Sequence, residues 1–135
     1  MVNSIDIIHP NHIAQIWPLI DDMLNKCMKR STGEITVDQM KAYLINGSYQ
    51  LMLFIEDQKI VGTVILSWIN YPNDRVMYAN ALAGKTTKEH ANMMFEWAKN
   101  NGATCVRGSA QEEVAMLWRM KYGFKTISYT VEKRL

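Results

Sequence analysis

Between Tyr49 and Gly84 three apolar runs, Leu51 to Ile55, Ile60 to Ile69 and Val76 to Leu82, follow one another across two short polar breaks, Glu56-Asp57-Gln58-Lys59 and Pro72-Asn73-Asp74. Runs of this length rich in β-branched residues and separated by turn residues read as strands, and breaks this short join only antiparallel neighbours. Whatever else the chain does, it must therefore build on a three-stranded meander. The rest has to cover the two faces of that sheet.

What flanks the meander is helical in period. Upstream, Ile5 to Ile8 is a short apolar run suited to a strand, closed by His9-Pro10. From Asn11, a candidate N-cap, Ile13, Ile16, Trp17, Ile20, Leu24, Cys27 and Met28 recur at helical spacing. Pro18 falls inside this stripe and is expected to kink or divide the helix. Thr36 and Gln39 have the spacing of a capping box, and Val37, Met40 and Leu44 share one face before Asn46-Gly47 stops the turn. Downstream, Thr86 and Glu89 form a second such pair, with Met93, Met94, Trp97 and Ala98 on one stripe and Gly102 at the stop. Thr104 to Arg107 reads as a short strand. Ser109 and Glu112 form a third capping pair, opening a helix whose inner face is Val114, Leu117 and Trp118 and which ends at Gly123. A last strand alternates Ile127, Tyr129 and Val131 inward.

The expected order is βααβββαβαβ in a single domain over residues 1–135: an α/β (α+β) fold with a mixed, mostly antiparallel six-stranded sheet flanked by four helices. The unit from Val76 to Arg107 must cross over between parallel neighbours, because a helix separates its strands. At 135 residues with 48% hydrophobic side chains, such a domain buries enough surface to stand without a metal or disulfide.

Charge excludes several classes of function. Fifteen Lys and Arg against thirteen Asp and Glu leave a net charge of +2, too little for an electrostatic footprint on nucleic acid or anionic lipid. No apolar run approaches a membrane span, and the start lacks a basic and then apolar leader. Cys27 and Cys105 have no partner spacing and fit reduced core thiols, so the cytoplasm is the expected compartment. No metal site is expected, since His9 and His12 are split by Pro10 and have no third ligand close in sequence.

The candidate site is the junction Asn80-Ala81-Leu82-Ala83-Gly84-Lys85-Thr86-Thr87, where a strand feeds a capped helix, with Leu82, Ala83, Gly84, Lys85, Thr86 and Thr87 as the cofactor-binding residues. First-turn N–H groups there lack intrahelical partners and the helix dipole adds partial positive charge, which suits an anion such as a CoA pyrophosphate. Lys85 adds a full charge, and Gly84 lets a backbone approach closely. The competing account is structural: Thr86 caps the helix and Gly84 only turns the chain. Gly84-Lys85-Thr86 is also the tail of a P-loop pattern, but its first glycine would fall at Ala79, and no acidic metal-binding strand accompanies it. His90 and Glu113 are candidate general bases, Glu112 being assigned to its cap. Lys26, Lys29 and Arg30 complement a helix C-terminus without any ligand. Trp68 and Tyr71, at the second meander turn, mark a hairpin end with a candidate exposed apolar face.

This element order, the strand, Gly84-Lys85 turn and helix unit, and Trp118-Arg119-Met120-Lys121-Tyr122-Gly123-Phe124 together resemble the GNAT acyltransferase superfamily. The resemblance is to phage-encoded GNAT-like proteins in particular, through Asn46-Gly47-Ser48-Tyr49-Gln50-Leu51, Tyr71-Pro72, Phe95-Glu96-Trp97-Ala98, Gly102-Ala103-Thr104-Cys105 and Glu132-Lys133-Arg134-Leu135. It implies an N-acetyltransferase that takes acetyl-CoA and an amine. It also implies a pyrophosphate loop whose positions here hold Ala81, Gly84 and Thr86, so only the glycine matches. The family's tyrosine general acid falls on Arg119 and its CoA asparagine on Glu112. With those signatures missing, the alternative is a non-catalytic GNAT-fold phage protein, a virion or assembly component or an inhibitor that binds a host protein, with a homodimer through edge strands as a further expectation.

Overall fold

A computed structural model describes residues 2–135. The apolar runs form one sheet in the order β1 (Asn3–Ile8), β2 (Gln50–Glu56), β3 (Lys59–Asn70), β4 (Arg75–Gly84) and β5 (Cys105–Gly108). The first four are antiparallel neighbours, while β4 and β5 are parallel. The crossover between the last two is α3 (Lys88–Asn100); α1 (Ile13–Met28) and α2 (Val37–Ile45) lie between β1 and β2, and α4 (Glu112–Tyr122) follows β5. The fold is thus mixed α+β, with five strands and four α-helices among the described residues.

Two cores occupy the two faces. Leu51, Leu53 and Ile65 meet Ile13, Trp17, Ile20 and Leu24 of α1 and Val37, Met40 and Leu44 of α2. On the other face Met52, Phe54, Val64, Leu66 and Met77 meet Met94 and Ala98 of α3. The alternation of the middle strands decides which residue goes to which core.

Three local expectations are corrected. Pro18 neither divides nor interrupts α1, which runs unbroken from Ile13 to Met28. Proline removes the hydrogen bond to the carbonyl four residues back, here Ala14, and both residues lie on the exposed face where water replaces it. The cap of α3 is Thr87 rather than Thr86, and the N-cap position of α4 is Gln111, with no side-chain cap bond, while Ser109 is bonded to Tyr78 and Glu112 to Arg119. The Thr36 and Gln39 box forms as expected, with both reciprocal bonds present.

The sixth strand does not form. Residues after Tyr122 adopt no regular secondary structure, and Ile127, Tyr129 and Val131 are 58%, 86% and 90% exposed. Thr126 is held against α4 by a bond from Arg119 (2.9 Å), and the outer edge of β5 stays free. Alternation describes a strand only where an edge pairs with it. Leu117 is corrected too: it is 52% exposed, and α4 packs instead through Val114, Ala115, Trp118 and Tyr122, none of them fully buried. No helix among the described residues is long and apolar enough to cross a membrane.

Candidate active site

The site follows from a defect in one ladder. Opposite Ile65 and Leu66 of β3 stand Ala81 and Ala79, so Asn80 is an extra residue, a β-bulge. Its side chain donates to Ser67 Oγ at 2.9 Å, which fixes the bulge in place. A bulge bends its strand and increases the twist. The parallel ladder to β5 ends at this point, at the pair Ala79 and Gly108. The β4 edge that faced β5 has no strand partner from Asn80 to Gly84, and this open stretch of edge, the mouth of the site, runs on toward the N-terminus of α3.

The junction residues divide between structural work and that mouth. Gly84 has φ +73°, and an added Cβ would lie 2.5 Å from the Val61 carbonyl and 2.9 Å from Gly62 Cα. Its missing side chain is thus used by β3, where Gly62 is its register partner. Lys85 gives its N–H to the Val61 carbonyl (2.8 Å) and its ammonium to Glu56 (3.0 Å), so part of its charge is already answered. Thr87 Oγ1 accepts the His90 N–H at 3.0 Å, leaving the N–H groups of Lys88 and Glu89 as the free donors of the first turn. Thr86 Oγ1 is buried without a partner. Leu82 faces the α3 core and Ala83 the α1 core.

His90 is fully buried. Its Nε2–H donates to the Ile55 carbonyl (2.9 Å), its Nδ1 accepts from the Thr87 hydroxyl (2.9 Å), and its ring stacks on Phe54 at 5.3 Å. With both nitrogens committed, the ring ties α3 to β2 and offers no lone pair to a substrate. Glu113 is exposed in the first turn of α4, where a carboxylate complements the dipole. The residues brought together at the mouth are instead Tyr78, Asn80, Gly108 and Ser109, which no local spacing announces. Tyr78 Oη and Ser109 Oγ are 2.7 Å apart and bridge β4 to β5.

On the α3 side the space between α3 and α4 is nearly filled. A cavity of about 20 Å³, room for one water, is lined by Leu82, Thr86, Met94, Trp118, Tyr122 and Phe124 among others. Tyr122 donates to the Thr86 carbonyl at 2.7 Å, and burial holds its phenol above the usual tyrosine range. Trp118 lies against Gly108, where a Cβ would come within 2.8 Å of its ring. Among the described residues no group of three or more His, Cys, Asp or Glu is placed to hold a metal.

No protein-family model matches the chain, and no curated protein is similar to it at a significant level. Solved structures do match. An aminoglycoside acetyltransferase from an uncultured soil metagenomic sample, in complex with sisomicin, is 14% identical over 98% of this chain and 96% of that one, with a TM-score of 0.69. A ribosomal-protein-alanine N-acetyltransferase from Brucella melitensis biovar Abortus 2308 is 14% identical over 98% and 99%, with a TM-score of 0.70. A predicted acetyltransferase from Clostridium acetobutylicum, solved with acetyl-CoA, is 14% identical over 98% and 96%, at 0.65. At such identities the likeness speaks to architecture, and the chain carries the fold of these acetyltransferases.

Proposed function

We propose that the protein is a GNAT-type N-acetyltransferase that transfers an acetyl group from acetyl-CoA to an amine. The observation that carries this reading is the unpaired edge of β4 from Asn80 to Gly84, which starts at a bulge and runs into a helix N-terminus. The pantetheine arm of CoA is a chain of amides, and amides lie along a free strand edge as another strand would. The pyrophosphate at its end then meets the free N–H groups of Lys88 and Glu89, with Lys85 and Lys88 beside them. The loop from Leu82 to Thr87 is the cofactor-binding segment in this reading. The fold shared with acetyltransferases, one of them solved with acetyl-CoA, supports it.

The residues present fit the cofactor at the edge and at the helix, while Trp118, Tyr122 and Phe124 stand where the arm needs width. Binding therefore displaces the C-terminal half of α4, an element with no fully buried residue. When bound, acetyl-CoA supplies the activated acyl group. The chain's own part is to lay the arm along β4, to hold the carbonyl near the backbone donors of the bulge, and to leave the α1 and α2 side open to the amine. Glu113, exposed in the first turn of α4, stays the candidate base in this reading. Isothermal titration of the folded protein with acetyl-CoA tests the reading: saturable heat is expected, and none at millimolar ligand removes it.

We propose further that the chain is one of the phage-encoded proteins of this kind, acting in the host cytoplasm; the support for this is the resemblance carried by the segments Asn46 to Leu51 and Glu132 to Leu135. A second reading, a non-catalytic protein that docks on a host or virion protein, is favoured by one observation. Met116, Leu117 and Met120 on α4 and Ile127, Tyr129 and Val131 beyond it form a run of exposed apolar residues. Mass spectrometry of purified particles and capture from host lysate test that reading; absence from both samples speaks against it.

A further inference from the structure

Two asparagines in the chain are followed by glycine, Asn46 and Asn101, and both close a helix in the same way. The asparagine ends α2 or α3 with ψ of −3° or 14°, and the glycine after it turns left-handed at φ +85° or +88°. Asparagine before glycine is chemically labile, because a residue without a Cβ lets its nitrogen close on the preceding side chain. The glycine nitrogen gives up its proton and bonds to Cγ, the Cγ–Nδ2 bond breaks, and Nδ2 leaves with that proton as ammonia. The five-membered imide left behind takes up one water at either of its carbonyls and opens to aspartate or isoaspartate. Water is the one co-reactant. To close the ring, ψ of the asparagine must leave its helical value, which swings the peptide that joins it to glycine. Whatever holds that peptide therefore governs the rate.

At Asn101 it is held firmly. Arg75 Nε donates to the Asn101 carbonyl at 3.1 Å, and the guanidinium is itself fixed over the Trp68 ring (4.1 Å) and on Asn70 Oδ1 (2.8 Å). Asn101 Nδ2 donates to the Trp97 carbonyl at 2.8 Å, which turns the amide back over the helix, and the Gly102 N–H is bonded to Lys99 at 3.0 Å. At Asn46 no donor among the described residues reaches the main-chain carbonyl, and the Gly47 N–H makes only a long bond to Leu44, 3.3 Å. Nothing lies within 4 Å of where a Cβ on Gly47 would be, whereas Arg75 Nε is 3.5 Å from that point at Gly102. The side-chain bond at Asn46 also favours reaction: the Ser48 N–H donates at 2.8 Å to Oδ1, the oxygen that takes negative charge when Cγ is attacked. We infer that Asn46 is a site of spontaneous deamidation in the folded protein and that Arg75 shields Asn101 from the same reaction. The inference is independent of the acetyltransferase reading. Its product places a carboxylate at the negative end of the α2 dipole, and the isoaspartate form adds a methylene to the backbone beside a hollow of about 320 Å³ that Gly47 lines with His9, Leu44 and Tyr49.

Peptide mapping by mass spectrometry after the folded protein has stood in warm, mildly alkaline buffer tests both halves. The Asn46 peptide should gain one dalton and split into aspartate and isoaspartate forms at least about tenfold faster than the Asn101 peptide, since the latter must first break a hydrogen bond from a charged group. In concentrated urea the two rates should converge. Arg75→Gln should bring the Asn101 rate up toward that of Asn46. Equal rates in the folded wild type, including no reaction at either position, or Asn101 reacting first, overturn the inference. A ratio that persists in urea overturns it as well, because neighbouring sequence would then set the rates. An unchanged Asn101 rate in folded Arg75→Gln overturns the shielding by Arg75. Should that variant prove unfolded by circular dichroism, the wild type with and without urea decides alone.

Discussion

Gly84 is the residue whose role changed most between sequence and structure. The strand-to-helix turn suggests a glycine kept small for a ligand, yet the atoms that need the space belong to Val61 and Gly62. Gly84→Ala should therefore destabilise the fold by about 2 kcal/mol or more, from the left-handed backbone and the collision together, whether or not CoA is present. Urea unfolding with and without ligand checks this, and a loss seen only with ligand would restore the ligand-facing role. Cys27 makes a second residue-scale case. Its thiol donates to the Leu82 carbonyl at 3.2 Å, and burial pushes its pKa above the ordinary 9.0. A raised pKa in the folded state favours the protonated thiol. Its share of stability is thus fully present below the unfolded value and is lost as pH rises from about 9 through the folded value. Thermal melts across that window, compared with Cys27→Ala, should show the slope reduced in the variant.

At the scale of elements, the two good caps separate a local effect from a tertiary one. Thr36 caps α2 on the surface, and Thr36→Ala should cost about 1 kcal/mol. Thr87 caps α3 and also bonds the buried Nδ1 of His90. Thr87→Ala should cost about 2–3 kcal/mol, because an unsatisfied buried nitrogen adds to the lost cap. Denaturant midpoints of the two variants give the comparison, and equal losses would mean that His90 finds another partner. The same two helices show what could be read from residues alone. Spacing alone does not decide a box: Thr36 and Gln39 close theirs, while Thr86 with Glu89 and Ser109 with Glu112, equally spaced, do not. At α3 two adjacent threonines compete, and Thr87, the one that caps, also bonds His90, whose ring is anchored to the Ile55 carbonyl 35 residues away. The meander and the crossover helix were legible from period and turn residues. Asn80 as a bulge, the Tyr78 and Ser109 pair and the use of Gly84 by Gly62 were not, since each depends on register between strands. The alternating tail misled for the same reason: alternation states which residues share a side, not that a neighbour is there to pair with.

Across the whole molecule, order is uneven. The sheet holds both cores, while α4 contributes no fully buried residue and the chain beyond Tyr122 joins no strand. Hydrogen exchange should follow that gradient: amides from Thr126 to Val131 exchange at rates near those of free chain, α4 next, and the middle strands last. Slow exchange over 126–131 would show that the tail has found an edge to join. The bulge has a consequence of a different kind. Because side chains alternate, one surplus residue reverses the parity of everything after it: Met77 and Ala79 point to the α3 side, but Ala81 and Ala83 point to α1 and only Leu82 returns to α3. A single strand thereby presents its smallest side chains to the longest helix. Deleting Asn80 would exchange the two tenants, driving the bulk of Leu82 into α1 and leaving a hollow beneath α3.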